Sequence, residues 1–403
     1  MTCSAVFNGG EGGQVGDSGQ VPRWLSPDRP QPGAWERVGD QTTAAAALAQ
    51  ARKGHGLLYQ GGYHGARQLL AAMGRRLRAG PLLGPGSSRS RSRARTAAPA
   101  REEPPPAAAS RSRLAQLFHA ERELTRLEHD VLSRLCVPVG EGYRLLLRRA
   151  PDVAAACAEA LGPSPGPGVL PLRDVLGMVG AHEWRRRGVE VPALGARVHP
   201  HHGVYAPVRG EYVDLVARAA EAWPVAGKRA VDVGTGTGVL ALVLARRGAI
   251  VIATDVEPAA VACARENADR LGLAASVDVR LADLFPGEPA DLVVSNPPWL
   301  PGEAHGPLEH AVYDPGGAML YGLVMGLPGA LREGGEAWIV LSDLAERLGL
   351  REPDHVEGLS RRAGLRIADV LEARPSHPRA RDREDPLHEA RAAEVVRLFR
   401  LLR

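Results

Sequence analysis

The sequence predicts an α/β protein whose C-terminal half is a Rossmann-like, doubly wound, mostly parallel sheet. Two observations carry that prediction. From about residue 200, short β-branched runs (AVDVGTG, IVIATD, VDVRLAD, DLVVSNPP) each end in Gly, Asp or Asn. Helical segments (GVLALVLARR, PAAVACARENADRLG) separate them, and this alternation builds parallel βαβ units. In such sheets ligands bind outside the carboxyl ends of the strands, where these polar residues fall.

Upstream the texture differs. Residues 1–40 are rich in Gly, Pro and polar side chains and read as disordered. Residues 41–80 read as a helical segment: AAAALAQARK has high helix propensity, and Leu69, Leu70, Met73 and Leu77 form one stripe. Residues 81–113 are an Arg/Ser/Pro-rich stretch with nothing to bury, and read as a linker. Residues 114–197 read as a mostly helical module, with Leu114, Leu117, Leu124, Leu127, Val131 and Leu135 near helical spacing. Within it, His182–Glu183–Trp184 reads as a helix surface with one buried aromatic. Residues 198–403 make the sheet domain.

Charge narrows the partners. The net charge is +4, but seven arginines and two glutamates between Ser87 and Arg113 account for +5. The remaining chain is therefore near neutral, without the basic stripe expected of a dedicated nucleic-acid binder. Four scattered cysteines lack metal-ligand spacing, and no structural metal is implied. With no secretory signal pattern and no apolar run long enough to span a bilayer, the expectation is a cytoplasmic protein without membrane attachment.

Four features carry chemistry. In VDVGTGTGVLALVLARRG a strand containing Asp232 enters a turn with Gly234, Thr235, Gly236 and Gly238, then a helix. Glycines permit positive φ and a close ligand approach. The GxGxG spacing departs from the GxGxxG of dinucleotide enzymes. Asp255, followed by Val256, ends the next strand twenty-one residues after Gly234 and offers ribose hydroxyls a two-oxygen acceptor. Asp283 and Leu284 follow the third strand, where a carboxylate can accept from an adenine amino group and an apolar side chain can pack on the ring.

The fourth feature is Asn296–Pro297–Pro298–Trp299 at the end of the fourth strand. Consecutive prolines stiffen the turn. The Asn296 side-chain oxygen and the Pro297 carbonyl can then accept both hydrogens of a planar NH2 group, with Trp299 stacking on its plane. A planar nitrogen has a delocalised lone pair and is a poor nucleophile, so orientation is what a site can supply. No strong base is required, because the proton becomes acidic once such a nitrogen gains a further substituent. His310, His377 and His388 accordingly read as surface or structural side chains.

These motifs make the region from about Val198 to the C-terminus resemble the class I S-adenosylmethionine (SAM) dependent methyltransferases with an Asn-Pro-Pro-aromatic motif. It looks most like the protein-(glutamine-N5) methyltransferases of peptide-chain release factors. The resemblance implies a seven-stranded sheet with its last strand antiparallel, a helical N-terminal module that grips a protein substrate, and SAM as cofactor. Asp232, Gly234, Thr235, Gly236, Gly238, Asp255, Val256, Asp283, Leu284 and Asn296 would line the cofactor, and Asn296, Pro297, Pro298 and Trp299 would hold the acceptor. The chain departs from the family pattern in having Trp299 where Tyr is usual. It departs again in a lead-in with Pro207, Arg209 and Glu211 in altered spacing, and in Tyr313–Asp314–Pro315 with Met319–Leu320 downstream.

Three functions fit this sequence: methylation of a glutamine-like amide on a protein, methylation of a nucleobase amine in RNA or DNA, and a non-catalytic SAM-binding subunit. A narrow, near-neutral pocket gated by the N-terminal module favours the protein acceptor, and a basic groove favours the nucleic acid. Gly12–Gly13–Gln14 matches the triplet modified in release factors, and in a Gly-rich tail it reads as coincidence.

Overall fold

A computed structural model describes residues 22–79, 106–304, 306–375 and 381–403. The first surprise lies at the N-terminus, where residues 22–79 and 106–187 fold together as an α/β domain. Its elements are β1 (Trp35–Gly39), α1 (Ala44–Arg52), β2 (Gly56–Gln60), α2 (Tyr63–Arg78), α3 (Pro106–Leu132), β3 (Leu135–Val139), α4 (Ala154–Leu161), β4 (Gly168–Pro171) and α5 (Leu172–Arg187). The sheet order is β1-β2-β3-β4, with the first three strands parallel and β4 antiparallel.

Several expectations are corrected here. Residues 22–40 are folded: Leu25 is buried, the Trp24 and Trp35 rings lie 6.2 Å apart, and Trp24 bridges to Val169. The segment 41–80 contains a strand, GLLYQ, bracketed by the two expected helices, and its Leu57 and Tyr59 are fully buried. Helix α3 begins at Pro106, inside the expected linker, and ends at Leu132. Leu135 leaves the helical stripe and opens β3. Trp184 is about half exposed rather than buried. The Gly12–Gly13–Gln14 triplet, His377 and most of the Arg/Ser stretch lie outside the described residues.

A short hairpin, β5 (Val189–Val191) with β6 (Ala196–Val198), leads into the second domain and already belongs to it. Its Val189, Val191 and Val198 join the core beneath the large sheet, so that domain starts about nine residues earlier than the motifs indicate. There follow α6 (Glu211–Ala222), β7 (Arg229–Val233), α7 (Val239–Arg246), β8 (Ile250–Asp255), α8 (Pro258–Arg270), β9 (Val277–Leu281) and β10 (Ala290–Ser295). Next come β11 (Leu300–Pro301), α9 (Pro307–His310), β12 (Tyr313–Asp314), α10 (Ala318–Ala330) and β13 (Leu331–Ser342). The chain closes with α11 (Leu344–Arg347), α12 (His355–Arg362), β14 (Arg366–Ala373), α13 (His388–Ala392) and β15 (Val396–Leu402).

The large sheet has seven strands in the order β14-β15-β13-β10-β7-β8-β9. Only β15 runs antiparallel to its neighbours, as expected for the final pair. One face is packed by α6, α7 and α8, where Val239 to Ala245 are all buried, and an all-round apolar helix must be covered on every side. The opposite face is packed by α10 and α12 through Leu320, Leu323, Val324, Leu327, Val356 and Leu359. Strand order reverses at β7, between β8 and β10, and that switch point opens the crevice in which doubly wound sheets bind ligands.

The two domains are joined by apolar packing and by charge. Phe118 of α3 is buried against Leu300, Leu344, Leu348 and Leu387 of the second domain, with the Tyr313 ring 6.5 Å away. Arg185 of α5 bridges Glu159 of α4 at 3.1 Å and Glu266 of α8 at 2.6 Å, and His201 Nε2 lies 2.8 Å from Glu266. Burial raises the Glu266 pKa, but hydrogen bonds from His201, Arg270 and Arg185 outweigh it and bring the carboxyl to about 2. Replacing Phe118 by Ala is expected to cost roughly 3–5 kcal/mol, the usual penalty for emptying a buried aromatic site. Chemical denaturation of the variant checks this, and a loss below about 1 kcal/mol would mean that α3 does not anchor the domains.

Candidate active site

Strand register assembles the site. Val233 of β7 pairs with Thr254 of β8 on one side and Ser295 of β10 on the other. The residues that follow, Gly234, Asp255 and Asn296, therefore emerge side by side at the switch point. The amides of Gly234 and Thr235 both donate to the Thr254 carbonyl at 2.9 Å, which closes the turn over the end of β8.

The turn needs its glycines for separate reasons. Gly234 has φ +70°, and a Cβ there would stand 3.0 Å from the Met319 methyl. Gly238 has φ +82° and packs so tightly on Ala264 that an added Cβ would meet its Cβ at 3.1 Å. Gly236, φ +55°, has open space where a Cβ would stand, so a ligand can reach its backbone. Asp232 has a different role from direct contact with a ligand. Its buried carboxyl accepts from Thr235 Oγ1 at 2.6 Å and from the Ala241 amide at 3.0 Å, stapling the turn to the first turn of α7. Burial pushes its pKa up to about 6, against the pull of those two hydrogen bonds.

Asp255 accepts from the Gly236 amide at 2.9 Å and the Glu257 amide at 3.0 Å. A carboxylate has about four acceptor positions, so lone pairs remain for two adjacent hydroxyls. Burial raises its pKa, partly offset by the backbone donors. At the end of β9, Leu284 has the left-handed φ of 57°, and its carbonyl accepts from Thr254 Oγ1 at 2.6 Å. That bond holds Asp283 and Leu284 at the cavity wall.

Around these groups lies a cavity of about 730 Å³, within the usual range for small-molecule sites. It is lined by Asp232, Gly234, Thr235, Gly236, Asp255, Val256, Asp283, Leu284, Asn296, Pro298 and Trp299. Of the expected site residues, Gly238 and Pro297 stay off this wall; Gly238 acts through helix packing instead. Sequence reading missed Pro27, Asp28, Ala160 and Leu161 of the N-terminal domain, and His202 and Tyr205 of the connecting loop, all of which line the same cavity. No local motif marks them, because their position follows from how the domains pack. His310 also lines the cavity, 3.6 Å from Glu257.

Trp299 is more constrained than the stacking expectation implies. Its indole Nε1 donates to Asn296 Oδ1 at 2.7 Å, the Arg209 guanidinium lies over its ring at 4.6 Å, and its carbonyl accepts from Arg351 at 3.1 Å. Asn296 Oδ1 keeps a second lone pair. Asp314 accepts from the amides of Met319 and Leu320 at 2.9 and 3.0 Å, capping α10 and placing Met319 at the cavity. Among the described residues no cluster of three His, Cys, Asp or Glu side chains could hold a metal ion. Among them also, no helix is long and apolar enough to cross a membrane.

A glycine turn, a strand-end carboxylate and an Asn-Pro-Pro-aromatic loop in mutual register define the class I methyltransferase site. Comparison with known proteins agrees. Residues 197–348 match the methyltransferase small domain family. The release factor glutamine methyltransferase of Cereibacter sphaeroides is 38% identical over 155 residues, covering 35% of this chain and 53% of that protein. That of Gloeobacter violaceus is 36% identical over 137 residues, covering 33% and 44%. The tRNA1(Val) (adenine(37)-N6)-methyltransferase of Porphyromonas gingivalis is 41% identical over 86 residues, covering 19% and 34%. The chain thus spans about half or less of the length of these relatives. Residues 197–348 thus carry a methyltransferase domain of the class I type with SAM as its cofactor, and over about a third of its length the chain is similar to release factor glutamine methyltransferases.

Two outcomes follow from this geometry. Asp255→Ala removes a charged acceptor and leaves two backbone amides without their partner, so SAM affinity should fall roughly 10- to 100-fold by calorimetry; unchanged affinity would take Asp255 out of the ribose role. For Asp232 the sign is set by a raised pKa. The folded state binds the proton more tightly than the unfolded chain, so the stability this group contributes is present below pH 4 and lost as pH rises towards 6. Asp232→Asn should therefore gain stability relative to the wild type between pH 4 and 6, then hold a constant difference above it. Paired melting curves across that range check this, and a flat difference would contradict it.

Proposed function

We propose that this chain transfers a methyl group from SAM to the side-chain amide nitrogen of a glutamine-like residue on a protein. The observation that carries this reading is the lining of the cavity. Among the described residues, Asp28, Asp255, Glu257 and Asp283 share this lining with a single guanidinium, that of Arg209. Such a wall suits a cationic cofactor and disfavours a phosphodiester backbone, which seeks Lys and Arg. The N-terminal domain narrows the same cavity with Pro27, Asp28, Ala160 and Leu161, so that a single side chain is a better fit than a duplex. The kinship with release factor glutamine methyltransferases supports the same acceptor class.

SAM, when bound, supplies an electrophilic methyl on a sulfonium. The protein's part is placement. Gly234 and Gly236 let the turn come close, and Asp255 orients a ribose. Asn296 Oδ1 takes an amide hydrogen, so the nitrogen presents its out-of-plane face, while Pro297, off the cavity wall, stiffens the turn that carries Asn296. As the nitrogen gains positive charge, that oxygen binds its hydrogen more strongly, which lowers the barrier selectively. The proton then leaves an acidified nitrogen to solvent.

The matching of part of the chain to a tRNA adenine-N6 methyltransferase makes a nucleobase amine the second reading, because the Asn296 oxygen can accept from it as well. Labelled SAM offered separately with nucleic-acid-free protein extract and with total RNA separates them. Label in a discrete protein band that survives nuclease supports the amide. Label in RNA that survives protease replaces it with the nucleobase. In either assay Asn296→Ala should keep SAM affinity while turnover falls roughly 100-fold or more, and retained turnover would remove Asn296 from the acceptor site.

A further inference from the structure

The loop that holds the acceptor is itself held by a chain of groups reaching back to the last strand. Glu394, 1% exposed and just before β15, accepts from Ser342 Oγ at 2.6 Å and from Arg209 Nη2 at 3.0 Å. Arg209 also donates through Nε to Glu211 at 2.5 Å. Anchored on both carboxylates, the guanidinium lies over the Trp299 ring. The indole in turn donates to Asn296 Oδ1 at 2.7 Å.

Each link has a consequence. An Asn side chain can present either its oxygen or its NH2, and only the oxygen can accept an acceptor's N–H. The indole Nε1–H can only donate, so it holds Asn296 with the oxygen on the indole side. A tyrosine or phenylalanine ring has no N–H at that point. The indole is free to swing on its own, and the cation over its face opposes that. A cation placed there would be drawn away by solvent unless fixed, which the two buried carboxylates do.

We propose that Trp299 and Arg209 are positioning residues of the acceptor seat: Arg209, fixed by Glu211 and Glu394, orients the indole, and the indole sets the amide of Asn296. This rests on the role proposed above for Asn296, but its central contact can be read without any acceptor.

The test uses the full chain, labelled with 15N and saturated with S-adenosylhomocysteine. The Trp299 indole resonance is assigned by its loss in Trp299→Phe. It should exchange with solvent several-fold more slowly in the wild type than in Asn296→Ala, roughly fivefold for one ordinary hydrogen bond. It should shift in Arg209→Met and recover most of its wild-type position in Arg209→Lys, which keeps the cation. Because Arg209→Met leaves two carboxylates unpaired and can unfold the chain, Trp299→Phe serves as the second variant and keeps the aromatic volume. With a short Gly-Gly-Gln peptide and an adenosine-containing RNA oligonucleotide as acceptors, Trp299→Phe should lower kcat roughly 10-fold or more while leaving the KM for SAM unchanged. An indole resonance identical in position and exchange in wild type and Asn296→Ala overturns the proposal, as does full kcat in Trp299→Phe. If neither acceptor is methylated, the proposed function fails while the resonance still decides the positioning contact.

Discussion

The site depends on one backbone constraint, the pairing of Val233 with Thr254 and with Ser295 across three adjacent parallel strands. Ladder hydrogen bonds fix that register, and a slip by one residue would turn every side chain to the other face. Because it holds, Gly234, Asp255 and Asn296 leave the sheet together, and three weak local motifs become one cavity. The buried Asp232 carboxyl adds the second fixed point by tying the glycine turn to α7.

Electrostatics then divides the cavity. Among the charged groups of the described lining, carboxylates outnumber cations, which matches a cofactor with a positive sulfur, and the one guanidinium stands at the acceptor aromatic. That cation is paired with Glu211 and Glu394, so it acts on Trp299 rather than as a phosphate ligand. The N-terminal domain contributes a wall rather than a reactive group. It reaches the site from two directions, through Pro27–Asp28 with Ala160–Leu161 and through Phe118 of α3 behind Leu300.

The C-terminal sheet was legible because its strands end in residues whose chemistry is unusual for a plain turn. Glycines at 234, 236 and 238 and acids at 255 and 283 are read directly from spacing, and the antiparallel β14–β15 pair from two apolar runs. The N-terminal domain was not, for reasons visible in its strands. GLLYQ, LCVPV and GVLP are four or five residues long, two contain proline, and helical patterns surround them, so periodicity alone assigns the region to helix. Trp24, Leu25 and Trp35 fall in a Gly/Pro-rich stretch, where single apolar residues carry no periodic signal. At the site itself, Asn296 and Trp299 were named from sequence as separate contacts to a substrate. Their hydrogen bond to each other, and the Arg209 cation above the indole, come from tertiary placement that no spacing encodes.

A crystal structure of the full chain with S-adenosylhomocysteine tests the central claim most directly. The account predicts the ribose hydroxyls on Asp255, the backbone of Gly234 to Gly236 against the ligand, and its sulfur facing Asn296 Oδ1. A ligand bound elsewhere, or with its sulfur turned away from Asn296, would contradict the assignment of this crevice as a methyl-transfer site.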